Sequence, residues 1–359
     1  MALDLRPLDL AADPVALTAA LVDVPSESGD EKALADLVES ALRRHAPHLE
    51  LLRDGDAVLA RTAHGHDRRV LIAGHLDTVP IADNVPSHIE GDRLYGCGSS
   101  DMKAALAVML RLATDSVLAQ RQDLTYVWYD AEEVEAARNG LLRLQRTNPG
   151  WLAADLAVLM EPTDGAVEAG CQGTMRATVT TTGRRAHSAR SWLGENAVHK
   201  AGAVLEQLAA YAARRVVIDG CEYREGLQAV RIEGGIAGNV VPDSCTITVN
   251  FRFAPDRDEQ QAADHLREVL APHEVTVVDS APGALPGLGT AVAQQFLAAV
   301  GRPPVAKLGW TDVSRFAAMG VPALNFGPGD PNLAHTRDES VLTTRIGEAE
   351  AVMRRFLAG

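Results

Sequence analysis

Four short apolar runs in this chain each lead into a residue able to bind a metal ion or move a proton. "RRVLIAG" runs into "HLDTVP" with His75 and Asp77, and "LTYVWYD" runs into "AEEVE" with Glu132 and Glu133. "DLAVLME" ends on Glu161, and "VPALNFG" opens a loop that delivers His335. A single histidine or glutamate at such a place is ordinarily structural or solvated. Repetition at four successive apolar runs is a pattern, because ligand sites in open α/β sheets lie beyond the carboxyl ends of the strands. Asp101, in "YGCGSSDMKAAL", is a fifth element, although Ser99, Ser100 or Asp101 could instead cap the helix that follows.

Imidazoles and carboxylates without thiolates suit Zn²⁺, Co²⁺ or Mn²⁺. One bridging carboxylate plus two further ligands per ion would need five residues, the number supplied by His75, Asp101, Glu133, Glu161 and His335. Two such ions polarise a carbonyl and activate water at neutral pH, but a base must still take the proton. Adjacent side chains diverge on a helix and oppose each other on a strand, so Glu132 and Glu133 do not ligate one ion equivalently. One glutamate is expected on the metal and the other on the water.

The elements that position these residues are legible in the hydropathy pattern. Apolar runs separated by helical segments such as "DMKAALAVMLRLA" indicate strands buried on both faces, hence an α/β domain with a mixed, mostly parallel sheet. Near the N-terminus, "PVALTAALVDV" and "GDEKALADLVESALRRHA" read as two helices joined by the turn "PSESGD". The middle of the chain differs. "TMRATVTTTG" and "SCTITVNFRFAP" alternate as half-exposed strands do, and "ENAVHKAGAVLEQLAAYAARR" and "DEQQAADHLREVLA" are amphipathic helices. With "LQAVRIEGG" and "EVTVVDS" this predicts a βαββαβ sandwich over residues 172–281, inserted between catalytic segments 1–171 and 282–359.

Bulk properties exclude other classes. A formal net charge of −14 over 359 residues disfavours a grip on nucleic acid or an anionic membrane surface. The four cysteines are scattered and form no CxxC pair, which fits reduced thiols in a cytoplasm. The N-terminal "MALDLRPLDL" carries acids where a signal peptide carries basic residues, and no apolar run approaches a membrane span.

Taken in order, "GHLDTVP", "YGCGSSDMK", "AEE", "EPT", "AHS", "GGIAGNVVPD" and "AHTRDE" resemble the motifs of the M20 family of di-zinc amidohydrolases and carboxypeptidases, from about Val24 to the C-terminus. The resemblance implies a zinc-exopeptidase-like catalytic domain with an inserted dimerisation and lid domain that closes over the substrate. It implies that His75 and Glu161 hold one Zn²⁺, that Glu133 and His335 hold the other, and that Asp101 bridges them. Asp77 would orient His75, and Glu132 would be the general base. In "GRRAHSARSWLGENAVHK", His187 would reach the partner subunit's active site in a homodimer and stabilise the oxyanion. Asn239, Arg252, Thr311 and Arg315 would contact the substrate. Two positions depart from the family's usual pattern: Ala131 stands where an Asp is common, and Cys97 where an Arg is common. Cys97 could be a ligand, a redox-sensitive thiol or a small buried residue.

Finer segments, among them "HLDTVPIADNVPS", "EVEAARNGL" and "GWTDVSRFAA", are similar to the succinyl-diaminopimelate desuccinylases of high-GC Gram-positive bacteria. That implies hydrolysis of a small substrate bearing several carboxylates, for which arginines such as Arg190, Arg252 and Arg315 are suitable partners. The alternatives are an N-acetylornithine deacetylase or another N-acyl-amino-acid amidohydrolase of the same family, and a catalytically silent metal-binding relative.

Overall fold

The computed structural model describes residues 6–359. The chain divides into two compact units. The larger comprises residues up to Ala169 with Gly287–Val305 and Arg315–Gly359, and the inserted unit comprises Gly170–Pro286 with Ala306–Ser314.

In the larger unit the apolar runs become an eight-stranded sheet. Its order is Glu50–Asp54, Ala57–Arg61, Asp123–Tyr129, Arg69–His75, Leu156–Leu159, Ala323–Asn325, Glu168–Ala169 and Val305–Ala306. The four central strands are parallel, with antiparallel strands outside them. Every residue of Asp123–Tyr129 and of Leu156–Leu159 is buried, which is why these segments read as unbroken apolar runs instead of alternating ones. The register sets His75 opposite Tyr129, Ala73 opposite Leu159 and Leu159 opposite Asn325. Four carboxyl ends therefore open on one edge of the sheet.

The two N-terminal helices are Pro14–Val22 and Lys32–His45. Asp13 caps the first by accepting the Val15 N–H, and Arg43, Arg44 and His45 occupy the last turn of the second, where the helix dipole favours positive charge.

The inserted unit holds an antiparallel sheet in the order Gly226–Gly234, Ser244–Phe253, Gly173–Thr182, Val275–Ala281. Helices Ala197–Ala209 and Glu259–Val269 supply Ala197, Ala201, Val204, Ala262 and Leu266 to a core shared with Val179, Ile247, Val249, Phe251 and Phe253.

Three features depart from expectation. Ala306–Ser314 groups with the inserted unit and not with the second catalytic segment: Gln172 N–H donates to the Lys307 carbonyl and Ser314 Oγ–H to the Pro282 carbonyl. The first amphipathic helix of this unit stops at Ala209, and the chain beyond it forms a hairpin, Arg215–Ile218 with Cys221–Arg224. Its turn is Asp219-Gly220, both at positive φ, a two-residue signal present in "VVIDGCEY". Similar two-residue turns, Gly55-Asp56 and Gly91-Asp92, join Glu50–Asp54 to Ala57–Arg61 and His88–Glu90 to Arg93–Tyr95.

Candidate metal centre and active site

The parallel register gathers seven of the residues singled out in the sequence. Among the described residues, three groups offer ligand atoms all within 4.8 Å of one another: His75, Asp101 and Glu161; His75, Glu132 and Glu133; and Asp101, Glu133 and His335. His75 and Asp101 each recur, so the groups form one cluster. His75 Nε2 lies 3.1 Å from Asp101 Oδ1, and His335 Nε2 lies 2.7 Å from Glu133 Oε1 and 3.5 Å from Asp101 Oδ2. Asp101 thus faces both histidines.

The helix-cap alternative for this stretch does not hold. Helix Ala104–Ala113 begins after Lys103 without a side-chain cap, and Asp101 sits in an irregular turn at φ −124°, ψ 89°. Its carboxylate points at the histidines instead of at a helix N-terminus.

Asp77 does more than orient one ring. His75 Nδ1 is 3.0 Å from the Asp77 carbonyl oxygen and 3.5 Å from Oδ1. The Asp77 carboxylate accepts the backbone N–H groups of Glu132 at 3.0 Å and Glu133 at 2.9 Å, and the Ser28 hydroxyl at 2.7 Å. One buried carboxylate therefore fixes the turn that carries both glutamates. The residue before them, Ala131, is held at φ 55°, an uncommon conformation for a residue with a Cβ. Its N–H donates to Glu31 Oε1 at 3.0 Å. Asp130 is paired with Arg143 through two bonds of 2.6 and 2.9 Å, which anchors the strand end from behind.

Electrostatics follow from these contacts. Burial disfavours a charged His75, but hydrogen bonds to Asp101 and Asp77 outweigh it and hold the ring's pKa well above its ordinary value. Hydrogen bonds to Asp101 and Glu133 push His335 up to about 10 against its partial burial. Burial alone would raise Asp101, yet bonds from His335 and His75 bring it below the usual carboxylate range. Four carboxylates converging on two imidazoles is an excess of negative charge in a largely enclosed place. A divalent cation relieves that excess, and this donor set of nitrogen and oxygen atoms suits Zn²⁺, Co²⁺ or Mn²⁺.

Cys97 is not part of any of the three groups; it is buried, and its thiol points toward the Val79 carbonyl oxygen at 3.6 Å. Burial raises its pKa, which opposes the thiolate needed for ligation or oxidation.

The remaining candidates lie on other parts of the chain. In the inserted unit His187 is exposed, its Nδ1 accepting the Ala189 N–H, and it pairs with Val240 in a short antiparallel bridge. Ser188 N–H donates to the Asn239 carbonyl oxygen, so His187 and Asn239 are neighbours. Arg252 is half-buried on the face of its strand opposite the buried Phe251 and Phe253, and burial lowers its pKa. Thr311 is buried, its carbonyl oxygen 3.7 Å from Cys171 Sγ. Arg315 stands in helix Val313–Ala318 and groups with the larger unit.

Two residues at the cluster escaped the sequence reading. Glu31 looked like an acidic helix start, yet it makes no cap and turns inward to Gly29 and Ala131. Glu339, in the quoted "AHTRDE", accepts backbone N–H groups of the Asp101 turn.

The profile of peptidase family M20/M25/M40 matches residues 71–359. The chain belongs to this family. Its relatives include a succinyl-diaminopimelate desuccinylase of Corynebacterium glutamicum, 52% identical with 99% of each chain covered. A protein of Mycobacterium tuberculosis, provisionally given the same enzyme name, is 56% identical over 98% of this M20 chain and 100% of its own length. The M20 fold is also that of a Staphylococcus aureus tripeptidase, with a TM-score of 0.79, 20% identity and coverage of 98% and 99%. A Bacillus subtilis protein described as a dinuclear metal-binding M20 peptidase superposes with a TM-score of 0.69, 15% identity and 96% of each chain covered. Among the described residues of this M20 chain, no helix is long and apolar enough to cross a membrane.

Proposed function

We propose that this M20 enzyme hydrolyses N-succinyl-LL-2,6-diaminopimelate to succinate and LL-2,6-diaminopimelate. The observation that carries this reading is the full-length 52% identity to the Corynebacterium desuccinylase, in a chain that also retains the complete His and carboxylate cluster.

His75 and Glu161 would hold one Zn²⁺, Glu133 and His335 the second, with Asp101 shared. Two bound ions supply Lewis acidity that polarises the scissile carbonyl and lowers the pKa of water. Glu132 takes the proton from the attacking water and returns it to the leaving amine. Asp77 fixes the turn that carries Glu132 and Glu133 by accepting both of their backbone N–H groups. His187 donates to the developing oxyanion from the partner subunit of a homodimer. Arg252 and Arg315 take substrate carboxylates, and Asn239 and Thr311 complete the polar contacts.

The homodimer forms through the inserted unit. Its outer strand Gly226–Gly234 carries exposed Val230 and Ile232, and Ile236 and Trp192 are also exposed, Trp192 to 75%. Four buried thiols without a disulfide support action in the cytoplasm.

The test is product analysis with purified enzyme. Equal amounts of succinate and free amine are expected from succinyl-diaminopimelate, with turnover lost after chelation and restored by Zn²⁺. Undiminished turnover in a fully metal-stripped sample contradicts the reading.

A further inference from the structure

Glu339 has no role in the chemistry above, yet it is only 2% exposed and its side chain is spent on one short turn. Oε1 accepts the N–H groups of Ser100 and Asp101, and Oε2 accepts that of Gly98, all at 2.9 Å. Its own carbonyl oxygen accepts the Gly96 N–H at 3.0 Å. The turn itself supplies two backbone bonds, Ser99 N–H to the Gly96 carbonyl and Lys103 N–H to the Gly98 carbonyl, and is otherwise irregular: Gly98 is at φ 80°, and Asp101 leaves helical geometry just before the helix starts.

Glu339 ends the loop that carries His335, itself at φ 61°. A second link joins loop and turn, since Ser100 Oγ–H donates to the Asp330 carbonyl oxygen at 3.0 Å. Asp101 and His335 belong to the same group with Glu133. Their spacing is therefore set by contacts between loop and turn, of which the Glu339 carboxylate supplies three.

We infer that Glu339 is a positioning residue that presets the distance between Asp101 and His335, and through it the affinity of the ion those two share with Glu133. The inference rests on the metal assignment made under Proposed function. The physical basis is donor geometry. A carboxylate offers acceptors to all three N–H groups, whereas a glutamine amide must turn its NH₂ toward at least one of them, donor against donor. The turn then shifts, and a ligand displaced by a few tenths of an ångström binds its ion less well. Residues that support metal ligands in this way typically change affinity by about 10–100-fold when altered.

The experiment is calorimetric titration of the metal-free full-length chain with zinc chloride alone. Wild type, Glu339→Gln and Glu339→Asp are compared with Asp123→Asn. Asp123 is a buried carboxylate that also accepts several backbone N–H groups but is outside the cluster. Wild type and Asp123→Asn are expected to take two ions with the same affinities. Glu339→Gln is expected to bind one of its two ions about tenfold or more less tightly, and Glu339→Asp, which keeps the charge but has a shorter reach, to fall between. Either Glu339 variant, folded by circular dichroism, binding both ions as tightly as wild type overturns the inference. So does equal weakening in Asp123→Asn, because the effect would then be general to buried carboxylates. If wild type itself takes up no zinc, the metal assignment fails, and this inference with it.

Discussion

Glu132 and Glu133 are chain neighbours with different company. Both backbone N–H groups rest on Asp77, and Glu133 contacts His335 and joins Asp101 in a candidate group. The account therefore expects different failures from the same chemical change. Glu132→Gln is expected to keep both metal ions and lose about 10²–10⁴-fold in turnover, the usual worth of a proton-transfer group. Glu133→Gln is expected to lose affinity for one ion. Metal content and turnover of the two purified variants check this, and identical behaviour of the pair would remove the division of labour. Four of the five ligand candidates were legible because they follow apolar runs, where an α/β sheet must place its site; Asp101 stands in a glycine and serine turn and was read from its own motif. Glu31, Ser28 and Glu339 were not legible. Their partners are N–H or carboxylate groups of distant segments, and no spacing in the sequence encodes those contacts.

At the scale of elements, buried carboxylates that accept backbone N–H groups recur away from the site. Asp123 opens the central strand Asp123–Tyr129 and accepts the N–H groups of His64, Gly65 and His66 and the Thr62 hydroxyl. Burial alone would raise its pKa, but these donors win and lower it. A carboxyl lowered on folding adds stability above the unfolded pKa of about 3.9 and loses it as pH falls through the lower folded value. Asp123→Asn is thus expected to cost about 1–3 kcal/mol at neutral pH, with the gap to wild type closing in acid. Urea unfolding midpoints measured from pH 7 down to pH 3 check the sign, and a gap that widens toward acid contradicts it. The parallel sheet and most helices were legible from periodicity. The hairpins at Gly55-Asp56, Gly91-Asp92 and Asp219-Gly220 carry little period-2 signal: Ala57–Arg61 is buried along nearly its whole length, and His88–Glu90 and Arg93–Tyr95 have three residues each. In those places the turn dipeptides were the stronger signal.

At the scale of the molecule, a −14 charge, from 48 acidic against 34 basic residues, suits an enzyme working on small metabolites better than one that grips nucleic acid. The inserted unit's exposed Val230, Ile232 and Trp192 call for cover, and a second copy of the chain provides it in this account. Ile232→Asp is expected to shift the enzyme from dimer to monomer in light scattering and to lower turnover, because His187 would no longer reach a partner's site. A wild-type monomer with full activity overturns both points. The insertion was legible where the pattern switches from buried runs to alternation, but Ala306–Ser314 was not, since its grouping with that unit depends on hydrogen bonds such as those to Gln172 and Pro282, which no local pattern encodes. The central claim is the substrate hydrolysed, and the most direct measurement is kcat/KM of the zinc-loaded enzyme on N-succinyl-LL-2,6-diaminopimelate and on N-acetylornithine. On the proposed function the succinyl substrate is expected to be preferred by about a hundredfold or more; equal values, or a preference for acetylornithine, would contradict the account.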